Sequence, residues 1–154
     1  MKSLVQAEQS TNQSHSILRA LRNFPSTLPK ADHQKLQEHL DDCARAMRPS
    51  SQLLAYVLAN KLMNTRPVTD VYCSDLVIGG CHVTYAIDGE TPQTGLLVHR
   101  ARAGSLTGVI PVASLLGATL IGMRVGQRAP LLYEDRTIGK LLVIDVTHSA
   151  QAIT

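Results

Sequence analysis

The chain has 154 residues, 44% of them apolar, and a net charge of +3, which suits one domain or a small domain with an appendage. One Phe, no Trp and an aromatic content of 3% make the core aliphatic and leave aromatic stacking unavailable as the main binding device. The absence of a dense Lys/Arg run argues against general nucleic-acid binding, and three cysteines without a CxxC pair argue against a zinc site or a disulfide framework.

The opening stretch MKSLVQAEQSTNQSHS is polar and lacks the apolar core of a signal peptide. Residues 1–15 read as a disordered tail. Ile17, Leu18, Leu21 and Phe24 then recur at helical spacing until Pro25 and Pro29. Asp32 is placed to N-cap a helix over HQKLQEHLDDCARAM, whose apolar stripe is Leu36, Leu40, Cys43, Ala44 and Met47. Glu38, Asp41 and Arg45 fall on the opposite face. Arg48-Pro49 breaks that helix, and Ser50 or Ser51 can cap the next, QLLAYVLANKLM, with its stripe of Leu54, Val57, Leu58 and Leu62. Two amphipathic helices with a short turn predict an antiparallel hairpin ~20 Å long. The leucine stripe is expected to be buried within the chain, the alternative being pairing between chains; a monomer is expected. Asn64-Thr65-Arg66-Pro67 reads as a boundary, giving a helical region over 16–65, a sheet domain over 66–149 and a tail over 150–154.

Beyond Pro67 the period changes. CHVTYAID, TGLLVHRA, GVIPV, PLLYED and GKLLVIDV are short, rich in β-branched and aliphatic residues and bounded by turns. Asp88-Gly89 signals one hairpin and the loop around Gly104 and Gly108 another, so an antiparallel sheet is expected. The longest apolar run, near Val109 to Ile121, falls short of the ~20 residues of a membrane-spanning helix. Cys43, Cys73 and Cys81 read as buried free thiols in a reducing, cytoplasmic compartment. His99 beside Arg100 and Arg102 reads as a solvated strand face, with a basic patch toward RNA or acidic loops as the alternative.

Within SLLGATLIGMRVGQ, Ser114 can cap a short helix with Leu115, Leu116, Thr119 and Leu120 on its apolar side. Gly117 lets that helix lie close on a sheet, Gly122 suits its C-terminus, and Val125-Gly126-Gln127 reads as a turn. Neither GxxxxGK[ST] nor GxGxxG is present, so the glycines are structural.

The pattern Ser-x-Leu-Gly-x-x-Leu-Ile-Gly-x-x-Val-Gly resembles the signature of the C-terminal domain of the bacterial Gre transcript-cleavage factors. Ser114, Gly117, Leu120, Gly122, Val125 and Gly126 fall in its register. Leu115 stands where proline is usual and Gln127 where aspartate is usual. IDGETPQTGLLVHRA resembles that family's first hairpin and GKLLVIDV its closing strand. The resemblance covers about half the chain. It implies an α+β protein, a short helical hairpin followed by an FKBP-like twisted sheet with one short helix. The shortness of LLAYVLANKLMNTRPV before the sheet is similar to the nucleoside diphosphate kinase regulator branch.

The resemblance also implies a partner, RNA polymerase, entered at its secondary channel. Gre factors place acidic residues at the tip of a long coiled coil, where they help hold a second Mg²⁺. Here the turn Ala44 to Ser50 is basic, with Asp41 and Asp42 one to two turns back. Glu38, Asp41, Asp42, Arg45 and Arg48 are the candidate polymerase contacts. For Asp41 and Asp42 the alternatives are a solvated helix face and Mg²⁺ delivery. Binding without transcript cleavage is expected, with no cofactor, no bound metal and no catalytic residue in this chain. Two other readings stand beside it: an FKBP-like peptidyl-prolyl isomerase, disfavoured because only Tyr72, Tyr85 and Tyr133 could line an aromatic pocket, and a non-catalytic oligomerising module.

Overall fold

The computed structural model describes residues 26–46, 48–69, 73–100 and 107–148. The expected tail over 1–15, the helix over 16–24, Met47 and the residues from 149 onward lie outside these.

The described chain runs β1 (Ser26–Pro29), α1 (Lys30–Ala46), α2 (Pro49–Asn64), β2 (Thr65–Val68), β3 (His82–Ile87), β4 (Gln93–Val98), β5 (Val109–Pro111), α3 (Leu115–Leu120), β6 (Arg128–Leu132) and β7 (Ile138–Thr147). It is an α+β fold. β1 and β2 form a two-stranded parallel pair with Ser26 opposite Thr65. Since β1 leads straight into α1 and α2 straight into β2, that pair holds both helices at one end. At 17 and 16 residues the helices are longer than the spacing predicted, each ~25 Å by helical rise.

Two cap assignments change. α1 begins at Lys30, so Asp32 lies inside its first turn instead of preceding it. α2 begins at Pro49, with Arg48 in extended backbone as N-cap and no side-chain bond to the cap. Proline at the first helical position needs no donor and arrives with the right φ, so neither Ser50 nor Ser51 is required.

The second sheet has the order β5-β4-β3-β7-β6. β3 pairs antiparallel with β4 and β7, and β7 with β6. Ile87 to Glu90 forms a turn with positive φ at Asp88 and Gly89, as the Asp-Gly signal predicts. The expected second hairpin is not formed: β5 lies parallel to β4, Leu96 opposite Val109. Only three residues pair, Val109 to Pro111 along the second half of β4 from Leu96 to Val98. The sheet is therefore mixed, not wholly antiparallel.

One apolar cluster joins these parts. Leu28, Leu36 and Leu58 from the helical half are buried in the same core as Val83, Leu97, Leu120, Ile121, Leu141 and Val143. Leu40, Cys43, Leu54, Val57 and Leu62 pack against it, so the predicted stripes face this chain's own core, except Ala44, which is exposed. Of the thiols, Cys81 is buried while Cys43 and Cys73 are half-buried. No described helix is long and apolar enough to cross a membrane.

α3 sits at the centre of this core. Ser114 Oγ accepts from Gly117 N at 3.0 Å and donates to Pro111 O at 2.6 Å, tying the helix start to β5. A Cβ on Gly117 would lie 1.9 Å from Pro111 O, so only glycine permits the approach. Gly122 has φ +84 and follows the last helical turn, as a C-terminal glycine should. Gly117, Ala118, Thr119 and Leu120 are all buried, so the helix is enclosed on more sides than an amphipathic reading predicts.

Candidate functional site

The structure separates two regions of α1. The first is its outer end. Glu38, Asp41, Asp42, Arg45 and Arg48 are all exposed. Asp42 pairs with Arg45, and Gln37 Nε2 donates to Asp41 Oδ1 at 3.1 Å. Glu38 lies 3.5 Å from Lys35 Nζ. Both aspartates are thus engaged along the helix surface, while Arg45 and Arg48 stand nearest the break between α1 and α2. Among the described residues no group of three His, Cys, Asp or Glu side chains is arranged to hold a metal ion.

The second region is the joint between α1 and the sheet, which the sequence did not announce. His99 follows β4, and its Nε2 lies 2.6 Å from Asp32 Oδ1. The same carboxylate oxygen accepts from Gly79 N at 3.2 Å. The other face of the contact is His39: its Nε2 lies 3.1 Å from His99 Nδ1, with the rings stacked at 5.4 Å and 18°. The side chains of Asp32 and His99 are only 12% and 13% exposed. Because the carboxylate can only accept, His99 Nε2 carries a hydrogen. A neutral His99 then accepts at Nδ1 from His39 Nε2–H, and a charged His99 donates there to a neutral His39. Two imidazolium rings would set N–H against N–H. Burial first, and the charge of His99 second, hold the His39 pKa below its ordinary value, against Asp42 and Glu38, which raise it.

His99 is therefore not a solvated strand face. It fastens α1 to β4, 60 and 67 residues away along the chain. Gly79 makes room for this contact, since a Cβ there would meet Asp32 Oδ1 and His99 Cδ2, each at 2.7 Å.

The signature residues lie together around α3 and the turn that follows it. Gly126 has φ +87, and Gln127 N donates to Arg124 O at 3.0 Å to close the turn. Gln127 Oε1 accepts from Arg124 N at 2.9 Å, so the amide serves as an acceptor where the family pattern has a carboxylate. A cleft of about 470 Å³ beside the start of α3, reaching Ser114 and Leu116, is lined by one aromatic ring, Tyr85, whose hydroxyl bonds Gln93.

No family model and no curated protein matches the chain. A solved structure does: a prokaryotic transcription elongation factor GreA/GreB from Nitrosomonas europaea, 15% identical, aligned over 79% of this chain and 98% of that one, at a TM-score of 0.56. The chain has a Gre-type fold. GreA factor homolog 1 (Gfh1) of Thermus thermophilus is 20% identical over 78% of this chain at a TM-score of 0.38. Gfh1 of Thermus aquaticus is 15% identical over 80% at 0.40. Within this fold the Asp32–His99–His39 contacts fix where α1 stands against the sheet.

Proposed function

We propose that this chain is a transcription regulator that binds bacterial RNA polymerase at its secondary channel without stimulating transcript cleavage. In this reading α1 and α2 act as a short antiparallel hairpin, carried by an FKBP-like sheet domain over 66–149 that docks at the channel rim. The outer end would occupy the entrance and compete with longer channel-binding factors. The proposed lineage is the nucleoside diphosphate kinase regulator branch of the Gre family, and the chain itself is not an enzyme.

The observation that carries this reading is the chemistry of the outer end. A Gre-type fold supports the partner, while the end that would approach the polymerase active site displays Arg45 and Arg48 and keeps Asp41 and Asp42 on the helix flank. Mg²⁺ needs oxygen ligands at about 2.0–2.1 Å, and carboxylates one or two turns behind a tip are ~6–9 Å short of it. The helices also share the sheet's core through Leu36 and Leu58, while Ala44 to Ala46 at the end of α1 and Arg48 to Ser50 at the start of α2 are exposed. The tyrosine-only cleft gives the isomerase reading no support.

Co-purification of the full chain with bacterial core polymerase tests the partner; no association at micromolar concentration removes the idea. Backtracked complexes incubated with the chain should release no additional RNA fragment, and strong cleavage would overturn the reading of the outer end.

A further inference from the structure

The face of α2 that points away from the core carries large apolar side chains in water. Tyr56 is 62% exposed and Met63 84%. With the exposed Asn60 between them they recur at i, i+4 and i+7, on one face of the helix. Beside that face lies a groove of about 300 Å³, bounded by Tyr56, Asn60 and Asn64 on α2 and by Ala129 and Leu132 on β6. The groove also reaches Ser26, the first residue of β1.

The register of the small sheet says what arrives there. β1 runs parallel to β2, with Ser26 opposite Thr65. Thr65 directly follows α2, so the chain that precedes Ser26 enters level with the last turn of α2. That chain reads ILRALRNFP, residues 17–25, which lie outside the described residues. Its apolar positions, Ile17, Leu18, Leu21 and Phe24, have helical spacing, and Arg19 and Arg22 fall on the opposite face of that spacing. At helical rise the stretch from Ile17 to Phe24 measures ~10 Å, the same as α2 from Tyr56 to Met63. One residue, Pro25, separates Phe24 from the end of the groove.

We propose that residues 17–24 of this chain cover the outer face of α2, with the apolar stripe against Tyr56 and Met63 and Phe24 at the Ser26 end of the groove. Both surfaces leave water in this arrangement, which is the gain that drives it. A second copy of the chain offers the same apolar chemistry, but it gives up translational and rotational freedom to reach the face. The tethered segment does not, and a tether this short sets an effective concentration of about millimolar. The outer end near Arg45 and Arg48 takes no part, so the assignment does not depend on polymerase binding.

Phe24 is the sole phenylalanine, so its ring can be labelled without ambiguity. The test uses the full chain, deuterated except for the Phe ring and the methyl groups of Met, Val and Leu. Nuclear Overhauser cross-peaks should link the Phe24 ring to the Met63 methyl or to the methyls of Val57 and Leu132, which line the groove. Mixing chain labelled only in the ring with chain labelled only in the methyls should abolish them, because the contact lies within one molecule. In a second measurement, Leu21→Ser with Phe24→Ser should raise the nitration rate of Tyr56 by tetranitromethane several-fold. Tyr85, 6% exposed, should react no faster, which shows that the variant keeps its core. Absence of the cross-peaks overturns the proposal, as does an unchanged Tyr56 rate in the variant. Cross-peaks that persist in the mixed sample overturn it in favour of a second copy. Because no polymerase is present, failure here and failure of the polymerase reading are separate results.

Discussion

Gly117 and Lys61 show what a single residue decides in this fold. The approach of α3 to β5 leaves no space for a methyl group at Gly117, and the obstacle is main chain, Pro111 O and C, which cannot swing aside as a side chain can. Gly117→Ala must therefore displace either element, and should lower stability by about 3 kcal/mol or more, read as the midpoint shift in urea unfolding. Lys61 acts in the other direction. Its folded pKa of about 8 lies below its ordinary 10.5, so the fold holds the charged form less well than the unfolded chain does. The penalty is full below pH 8 and is relieved as pH rises from 8 to 10.5. Lys61→Met removes the charge and keeps the stem, at the loss of one hydrogen bond to Thr119 O. The balance should raise stability at neutral pH by about 1–2 kcal/mol and flatten the alkaline rise, measured by thermal unfolding at stepped pH. Ser114, Gly117 and Gly122 were legible because cap, close approach and left-handed turn are local demands written in residue type. Lys61 was not, since its meaning comes from Thr119, 58 residues away.

At the scale of elements, the joint between α1 and β4 governs how the helices are held. Asp32 looked like a cap because Asp favours that position, yet its carboxylate is used by His99 and Gly79, partners that no local pattern brings together. The same limit explains β5: an apolar triplet after glycine says strand, but nothing in it says parallel. The groups facing His39 are Lys35, Glu38 and Asp42 on its own helix and His99 across the joint, with Asp32 behind His99. His39 has a folded pKa below 6.5, so the unfolded chain takes up its proton first. The joint's contribution is whole above pH 6.5 and is lost as pH falls through the depressed folded value. The unfolding temperature should accordingly drop between about pH 7.5 and 5.5. In His39→Gln, which titrates no proton there, the part of the slope owed to this group should vanish. An unchanged slope would mean that the stacked rings carry no linkage.

For the molecule as a whole, the shared core sets what can act on a partner. Leu28, Leu36 and Leu58 are buried with Val83 and Leu97, so the helices gain part of their stability from packing on the sheet. A helix pair of this length read from apolar spacing alone gives the elements, but not how much of them the sheet would claim. What stays clear at the outer end are Asp41, Asp42, Arg45 and Arg48, and there charge, not packing, is available to a partner. Arg45→Glu with Arg48→Glu isolates that charge. Both side chains are exposed, and the Asp42–Arg45 pair, 65% and 76% exposed, is worth under about 1 kcal/mol, so the fold should withstand the change with little shift in unfolding temperature. If the outer end touches polymerase, reversing two charges should change affinity about tenfold, with a weaker salt dependence in one of the two proteins. If the sheet alone docks, affinity stays as it was. Fluorescence anisotropy of the labelled chain against core polymerase at two salt concentrations separates these outcomes. The double variant also presents acids where the native chain presents bases, so if neither protein stimulates RNA cleavage in backtracked complexes, reach and not charge is what keeps the proposed regulator from cleaving.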